Sequence, residues 1–270
     1  MQIIHPFFDL PRPVSIGHRG CAGEAPENTT ASFERALEQG AAILESDVHL
    51  TRDGVPVLIH DPLVDRVTEQ TGSVSKFDFA RLQSLDAAYR FSRNDGQSFP
   101  FRGAQIRIPS VDQAFARFPN ARFNLELKSS EPGLVDAVVA LIVRLGREDL
   151  TLLTAGDAPI MTELRTALDK LDKPIAQGAS TGDVLDFIRS ATDGTPPRPG
   201  PMALQIPANF AGRPLVTREL VQHAHAHAVH VHAWTINDPV EMAELLELGV
   251  DGIISDFPAR LGKLVAGAAS

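Results

Sequence analysis

Cysteine is nearly absent: Cys21 is the only one in 270 residues. No intramolecular disulfide can form, so bridges say nothing about redox compartment. Positive charge is also short, with 25 Lys and Arg against 34 Asp and Glu, a net charge of −9. This balance excludes the basic face that nucleic acid demands, and no nucleic-acid partner is expected. Any anionic ligand must find its positive charge supplied locally. No apolar run approaches the roughly 18 residues of a membrane helix, so no transmembrane segment is expected. The stretch "MQIIHPFFDLPRPVS" has neither a basic n-region nor an apolar h-region and does not read as a signal peptide. The expected setting is the cytoplasm. Neither GxGxxG nor GxxxxGK[ST] occurs, which leaves a nucleotide-binding fold unsupported.

What is present is alternation. Hydrophobic residues make up 43% of the chain, enough for a sizeable core. Short apolar runs read as strands at 14–17, 43–48, 55–59, 123–127, 150–154, 174–177, 203–206, 229–234 and 252–255. Helical patterns lie at 29–39, 133–145, 158–171, 183–190, 217–228 and 239–248. Strands alternating with helices build a parallel sheet, and about 250 residues is the usual size of a closed α/β barrel. The expectation is therefore one domain over 1–270, a (β/α)8 TIM barrel, irregular near strands 2 and 3. There, only "HLTRDG" separates the second run from the third, too short for a helical crossover. Either a helix is missing at that point or one of the nine runs is not a barrel strand. A long loop excursion covers residues 71–108. In "ENTTASFERALEQG", Asn28 or Thr29 can cap a helix and Gly40 stands where a C′ glycine belongs.

Four strand ends carry chemistry. "PVSIG" runs into His18 and Arg19. "ILESDV" places Glu45 and Asp47 two apart, on one face of a strand. "VPVLIHD" ends in His60 and Asp61. "FNLELK" places Glu126 and Lys128 on one face. Carboxylates gathered near a core repel and lose hydration, and a hard divalent cation offsets both costs best. In a parallel barrel the strand C-termini converge at one mouth, where active sites are built. Two histidines near neutral pH can serve as base and acid. Arg19 and Lys128 supply positive charge that the rest of the chain withholds.

The stretches "HRG…PENTTASFERALEQGAAILESDVHLTRDGVPVLIHD", "IRIPSVDQAFARFPNARFNLELK", "VHAWTIND" and "GVDGIISDFP" together resemble the glycerophosphodiester phosphodiesterase family of (β/α)8 barrels. The resemblance spans nearly the whole chain. It implies a phosphoric diester hydrolase that releases glycerol 3-phosphate and an alcohol from a small-molecule glycerophosphodiester. It implies His18 and His60 as the catalytic pair, and Glu45, Asp47 and Glu126 as ligands of Mg2+ or Ca2+. Arg19 and Lys128 would contact phosphate, and Trp234 would line the substrate pocket. The expected route passes through a cyclic glycerol phosphate.

Other features read more plainly. "VQHAHAHAVHVHAW" holds His223, His225, His227, His230 and His232. His223 and His227 are spaced as a helical ligand pair, but scattered histidines on a surface helix and strand explain the run as well. Cys21 reads as a small filler. His49 points away from the face of Asp47. An apolar rim built from "RFSRNDGQSFPF" would favour a related barrel phosphodiesterase acting on lysophospholipids or phosphoinositides.

Overall fold

The computed structural model describes residues 5–129 and 131–268. The first four residues of the N-terminal stretch lie outside them. Eleven strands occur among the described residues: β1 Val14–Gly17, β2 Ile43–Leu50, β3 Pro56–Leu58, β4 Arg122–Leu127, β5 Thr151–Thr154, β6 Ala176–Gln177, β7 Ala203–Pro207, β8 Asn209–Phe210, β9 Arg213–Pro214, β10 His230–Trp234 and β11 Gly252–Ser255. The helices are α1 Thr30–Glu38, α2 Phe79–Leu82, α3 Val111–Arg117, α4 Leu134–Arg144, α5 Ala158–Leu168, α6 Thr181–Asp193, α7 Arg218–Ala226, α8 Pro239–Leu248 and α9 Pro258–Ala268.

Eight strands pair in parallel in the order β6-β5-β4-β2-β1-β11-β10-β7. A parallel bridge between Gly178 and Ala203 joins the two ends of this row and closes the barrel. The ninth run, β3, is not a barrel strand. It pairs antiparallel with β2, matching Val48 to Leu58 and Leu50 to Pro56. The short link between Leu50 and Pro56 suits a hairpin but not a parallel crossover, which accounts for the irregularity expected at this point.

Helix ends follow their caps. Thr29, not Asn28, caps α1 by accepting from the Ser32 amide at 3.3 Å. Gly40 ends that helix with φ +85°, a conformation that costs other residues more. Three helices are absent from the sequence reading. One is α3, opened by a capping box in which Ser110 and Gln113 bond each other's backbone amides. The others are the single turn α2, inside the excursion, and α9. The β8–β9 hairpin was also not foreseen.

The core is layered. Inside the barrel, Phe7 and Phe8 plug the floor beneath Ile16, Ile43, Leu152, Ala203 and Ile254. Two larger clusters fill the space between sheet and helices, one on each side of the barrel. The excursion after β3 has a small core of its own, in which Val57, Val64, Val74, Leu82, Leu85 and Ile108 are buried. It returns through the Leu58 amide, which donates to the Pro109 carbonyl at 2.9 Å. No helix among the described residues is long and apolar enough to cross a membrane.

Candidate active site

Strand register decides what enters the mouth. Glu45 pairs with Asn124 and Asp47 with Glu126 across β2 and β4. The four side chains therefore share the barrel's inner face, with Asp47 and Glu126 nearest the C-terminal rim. One carboxylate oxygen from each of Glu45, Asp47 and Glu126 lies within 4.8 Å of the other two. Glu45 and Asp47 are buried. Burial, and then the charge of Asp47, hold the Glu45 carboxyl well above the usual carboxylate range. The cluster thus carries more negative charge than its surroundings solvate.

Cations and amides answer part of that charge. Lys128 Nζ lies 2.8 Å from Glu126 and 3.4 Å from Asp47. Burial works against its charge, but the carboxylates of Glu126 and Asp47 outweigh burial and raise its pKa. The Arg19 amide donates to Glu45 at 2.9 Å. The Arg19 guanidinium donates to Glu27 at 2.9 Å, while its Nε stands 3.4 Å from Asp47. That Nε is buried without a hydrogen-bond partner. Asn28 donates to Asp47 at 3.1 Å and accepts from Ser46 at 2.5 Å.

Each histidine expected in the site is held by its own aspartate. The turn after β1 is tight: a side chain at Gly17 would meet the Gly20 carbonyl at 2.4 Å. It turns His18 toward β11, where its amide donates to Ser255 at 2.9 Å and its Nδ1 meets Asp256 at 2.7 Å. Burial pulls the His18 pKa down. The Asp256 hydrogen bond and the Glu45 charge more than offset it, and the net shift is upward. Asp256 is fixed in turn by Asn237 at 2.7 Å. His60 Nδ1 meets Asp61 at 2.6 Å. Arg66 donates to Asp61 at 2.5 Å and to both oxygens of Glu27 at 2.6 and 2.7 Å. A carboxylate on Nδ1 selects the tautomer and leaves Nε2 for the reaction.

The structure therefore brings His18, His60, Glu45, Asp47, Glu126, Arg19 and Lys128 to one mouth. Trp234 ends β10 across the barrel and lines a cavity that Glu126 also reaches. Sequence reasoning passed over Asp256, Asp61, Glu27, Arg66 and Asn28 as partners. Four of these stood in stretches singled out for other reasons: Asp61 next to His60, Glu27 and Asn28 inside "PENTT", and Asp256 inside "GVDGIISDFP".

The remaining candidates are structural. His223 and His227 do stack, with ring centroids 4.5 Å apart. However, His223 bonds Ser190 at 2.9 Å and His227 bonds the His223 carbonyl at 2.9 Å. Among the described residues only the Glu45–Asp47–Glu126 group gathers three metal-ligating side chains. His49, expected to point away from the face of Asp47, is two residues from it on β2 and shares that face. It lies within reach of the charges of Asp47 and Lys128, and its Nε2 meets the His60 carbonyl at 3.0 Å. Cys21 is buried, and burial raises its thiol pKa to about 11, which leaves it protonated and a poor nucleophile.

Residues 18–260 match the Glycerophosphoryl diester phosphodiesterase family. A glycerophosphodiester phosphodiesterase of Caldanaerobacter subterraneus subsp. tengcongensis is 30% identical over 258 residues, covering 93% of this chain and 96% of the relative. The glycerophosphoryl diester phosphodiesterase domain of a Mycobacterium tuberculosis protein superposes with a TM-score of 0.82 at 20% identity, covering 95% of this chain and 100% of that one. This last likeness speaks to fold alone. An Oleispira antarctica phosphodiesterase, solved with the product sn-glycerol-3-phosphate, is 28% identical with a TM-score of 0.72, covering 94% of this chain and 97% of that one.

Proposed function

The chain belongs to the glycerophosphoryl diester phosphodiesterase family, and from that premise we propose that it cleaves glycerophosphodiesters to glycerol 3-phosphate and an alcohol with a divalent cation and two histidines. One observation carries this reading. Two aspartate-held histidines, at 2.7 and 2.6 Å, stand at the same mouth as three carboxylates within 4.8 Å. Among the described residues no serine or reactive thiol is paired with either histidine, so the attacking oxygen is taken to come from substrate or solvent.

The donor set suits a hard divalent ion. Three carboxylate oxygens, two of them on buried side chains, match the oxygen ligation of Mg2+ or Ca2+. When bound, such an ion would polarise a phosphoryl oxygen and lower the pKa of a hydroxyl beside it. Arg19 and Lys128 take the phosphate's remaining charge; the unpartnered Arg19 Nε supports this role. His18 accepts the proton of the glycerol 2-hydroxyl as that oxygen attacks phosphorus. His60 gives a proton to the departing alcohol oxygen. Water then opens the cyclic phosphate with the two roles exchanged. A hydroxyl already in place has a large entropic advantage over free water.

Glycerol 3-phosphate release from several glycerophosphodiesters, with and without EDTA, tests the reading. Chelation should abolish turnover and added Mg2+ or Ca2+ restore it. Full activity after exhaustive chelation would remove the metal's role. A diester of 2-deoxyglycerol phosphate should bind but turn over poorly. A kcat equal to that of the glycerol ester would leave water as the nucleophile.

A further inference from the structure

Most arginines of this chain face a carboxylate, and those of the excursion do not. Residues 71–108 hold six Lys and Arg against three Asp, a net +3, while the rest of the chain carries −12. Ten of the fifteen arginines outside this stretch stand within 4.0 Å of an Asp or Glu. Among the described residues, none of the five inside it pairs with one. Three of these five gather at one surface. Arg102 stacks on Phe99 at 3.8 Å and on Tyr89 at 4.2 Å. Arg93 stands 5.4 Å from Phe101, and Arg90 5.8 Å from Tyr89. The sequence suggested an apolar rim from these rings; the guanidiniums over them make it cationic. Backbone carbonyls hold each arginine by its Nε: Arg90 donates to Thr68 and Arg93 to Glu24 at 2.9 Å, and Arg102 to Tyr89 at 2.8 Å. All three side chains are exposed, and Asp95 is the one carboxylate between residues 87 and 104. Their charge is therefore fixed in place and left without a partner in a chain that has carboxylates to spare.

We propose that Arg90, Arg93 and Arg102 dock the protein on the surface of an anionic phospholipid bilayer, with their guanidiniums against lipid phosphates. Guanidinium forks match phosphate oxygens, and arginine sheds its hydration more readily than lysine. Stacking on the rings holds them ready, so little freedom is lost on docking. The cluster also lies on the right side of the barrel. The excursion leaves the mouth just after His60 and Asp61, and Arg93 grips the Glu24 carbonyl in the loop after β1. Docking through this cluster brings the mouth to the bilayer. The choice of a bilayer rests on the phosphodiesterase reading. A glycerophosphodiester is a phospholipid stripped of its acyl chains, and a bilayer surface is where that stripping leaves it. The −12 of the remaining surface opposes deep or irreversible attachment, so the association is weak and sensitive to salt. That same acidic surface, on a second copy of the chain, is the rival partner.

Co-sedimentation with vesicles tests the docking without using activity. Two compositions are compared at low salt: phosphatidylcholine alone, and phosphatidylcholine mixed equally with phosphatidylglycerol. The protein should pellet with the mixed vesicles and stay in solution with the neutral ones, and added salt should release it. Arg90→Gln, Arg93→Gln and Arg102→Gln should each weaken binding about fivefold, the usual share of one basic residue at an anionic surface. Lys170→Gln should leave it unchanged, because that exposed lysine follows the C-terminus of α5, at the barrel's opposite face. A thermal melt and glycerophosphocholine turnover report that each variant is folded. Equal binding to both compositions, no binding to either, or binding unmoved by all three arginine variants would overturn the proposal. Sedimentation velocity covers the rival: a dimer that Arg102→Gln dissolves, with no vesicle binding, would assign the cluster to a second copy. A protein that pellets with the mixed vesicles but releases nothing from any glycerophosphodiester would keep the docking and overturn the phosphodiesterase reading.

Discussion

His18 at the mouth and His232 inside the barrel are both shielded from water, and they titrate in opposite directions. Burial pushes each toward the neutral form. Beside His18 the chain places Asp256 at 2.7 Å and the charge of Glu45, and the pKa rises. Beside His232 it places Phe8, ring centroids 6.3 Å apart, and His230, 6.1 Å away. His232 Nδ1 has no hydrogen-bond partner among the described residues, and the pKa falls to about 4. The nearby carboxylate, Asp251, is already engaged by Arg12, His225 and the Val231 amide. Burial alone makes a histidine a neutral packing element. A dedicated carboxylate keeps it titratable near neutral pH, where acid–base chemistry needs it. Strand ends and loops can deliver that carboxylate at the rim.

The largest effects should come from the mouth. His18→Ala and His60→Ala should each lower kcat by about 10²–10⁴-fold, the range for losing a general acid or base. His223→Ala, in the histidine-rich run, should leave kcat as it is. Asp256→Asn should keep His18 in place but remove the largest contribution that raises its pKa, leaving that of Glu45. The limb of the pH–rate profile that His18 controls would then move to lower pH while the other limb stays. Near wild-type kcat in both alanine variants would show the two histidines to be spectators.

A smaller effect is expected inside the barrel, and it concerns stability. The folded pKa of His232, about 4, lies below the ordinary histidine value of 6.5. Above pH 6.5 the group is neutral in both states and contributes no pH dependence. As pH falls below 6.5 the unfolded chain binds a proton that the folded chain refuses, and stability drops until about pH 4. The loss at this one site is about 3 kcal/mol. Denaturant titrations from pH 7 to 4 should therefore show a steeper fall for wild type than for His232→Gln. Parallel curves would mean that His232 is solvated or partnered in solution.

Much of the mouth was legible because it obeys parity. Glu45 with Asp47, and Glu126 with Lys128, sit two apart on strands, and alternation alone assigns each pair one face. The eight-strand count was nearly legible: nine runs were visible, and the short "HLTRDG" link already marked the one that could not be a crossover strand. Pairings across the barrel were not legible. Asp256 meets His18 only because β11 closes onto β1, 238 residues away in the chain. Glu27 meets Arg66 only because the excursion folds back over 39 residues. The character of the excursion's rim was hard to read for a related reason. Composition shows the phenylalanines of the excursion but not the arginines stacked on them. The α3 helix was missed although Ser110 and Gln113 carry a readable capping signature.

The smallest effect separates geometry from charge at the mouth. Arg66 touches neither histidine. It bonds Glu27 through both terminal nitrogens, and through Nε it bonds the Asp61 that holds His60. Its side chain is about half exposed, so the ion pairs should contribute little to stability, roughly 0–1 kcal/mol. Burial raises the pKa of Asp61, but the hydrogen bonds from Arg66 and His60 outweigh it, and the net shift is downward. Without Arg66 that pKa would move back toward the ordinary carboxylate value, still well below neutral. Asp61 would stay ionised and keep its bond to His60 but lose the brace that aims it. Arg66→Ala should therefore leave Tm nearly unchanged and lower kcat by about tenfold, with KM little affected, since small misplacements of a catalytic group carry costs of this size. Arg66→Lys should recover only part of the loss, because one ammonium cannot bridge Glu27 and Asp61 as a planar fork does. Wild-type kcat in Arg66→Ala would mean that Asp61 alone aims His60. A kcat loss matched by a fall in Tm would mean that Arg66 acts through the fold of the excursion rather than through the imidazole.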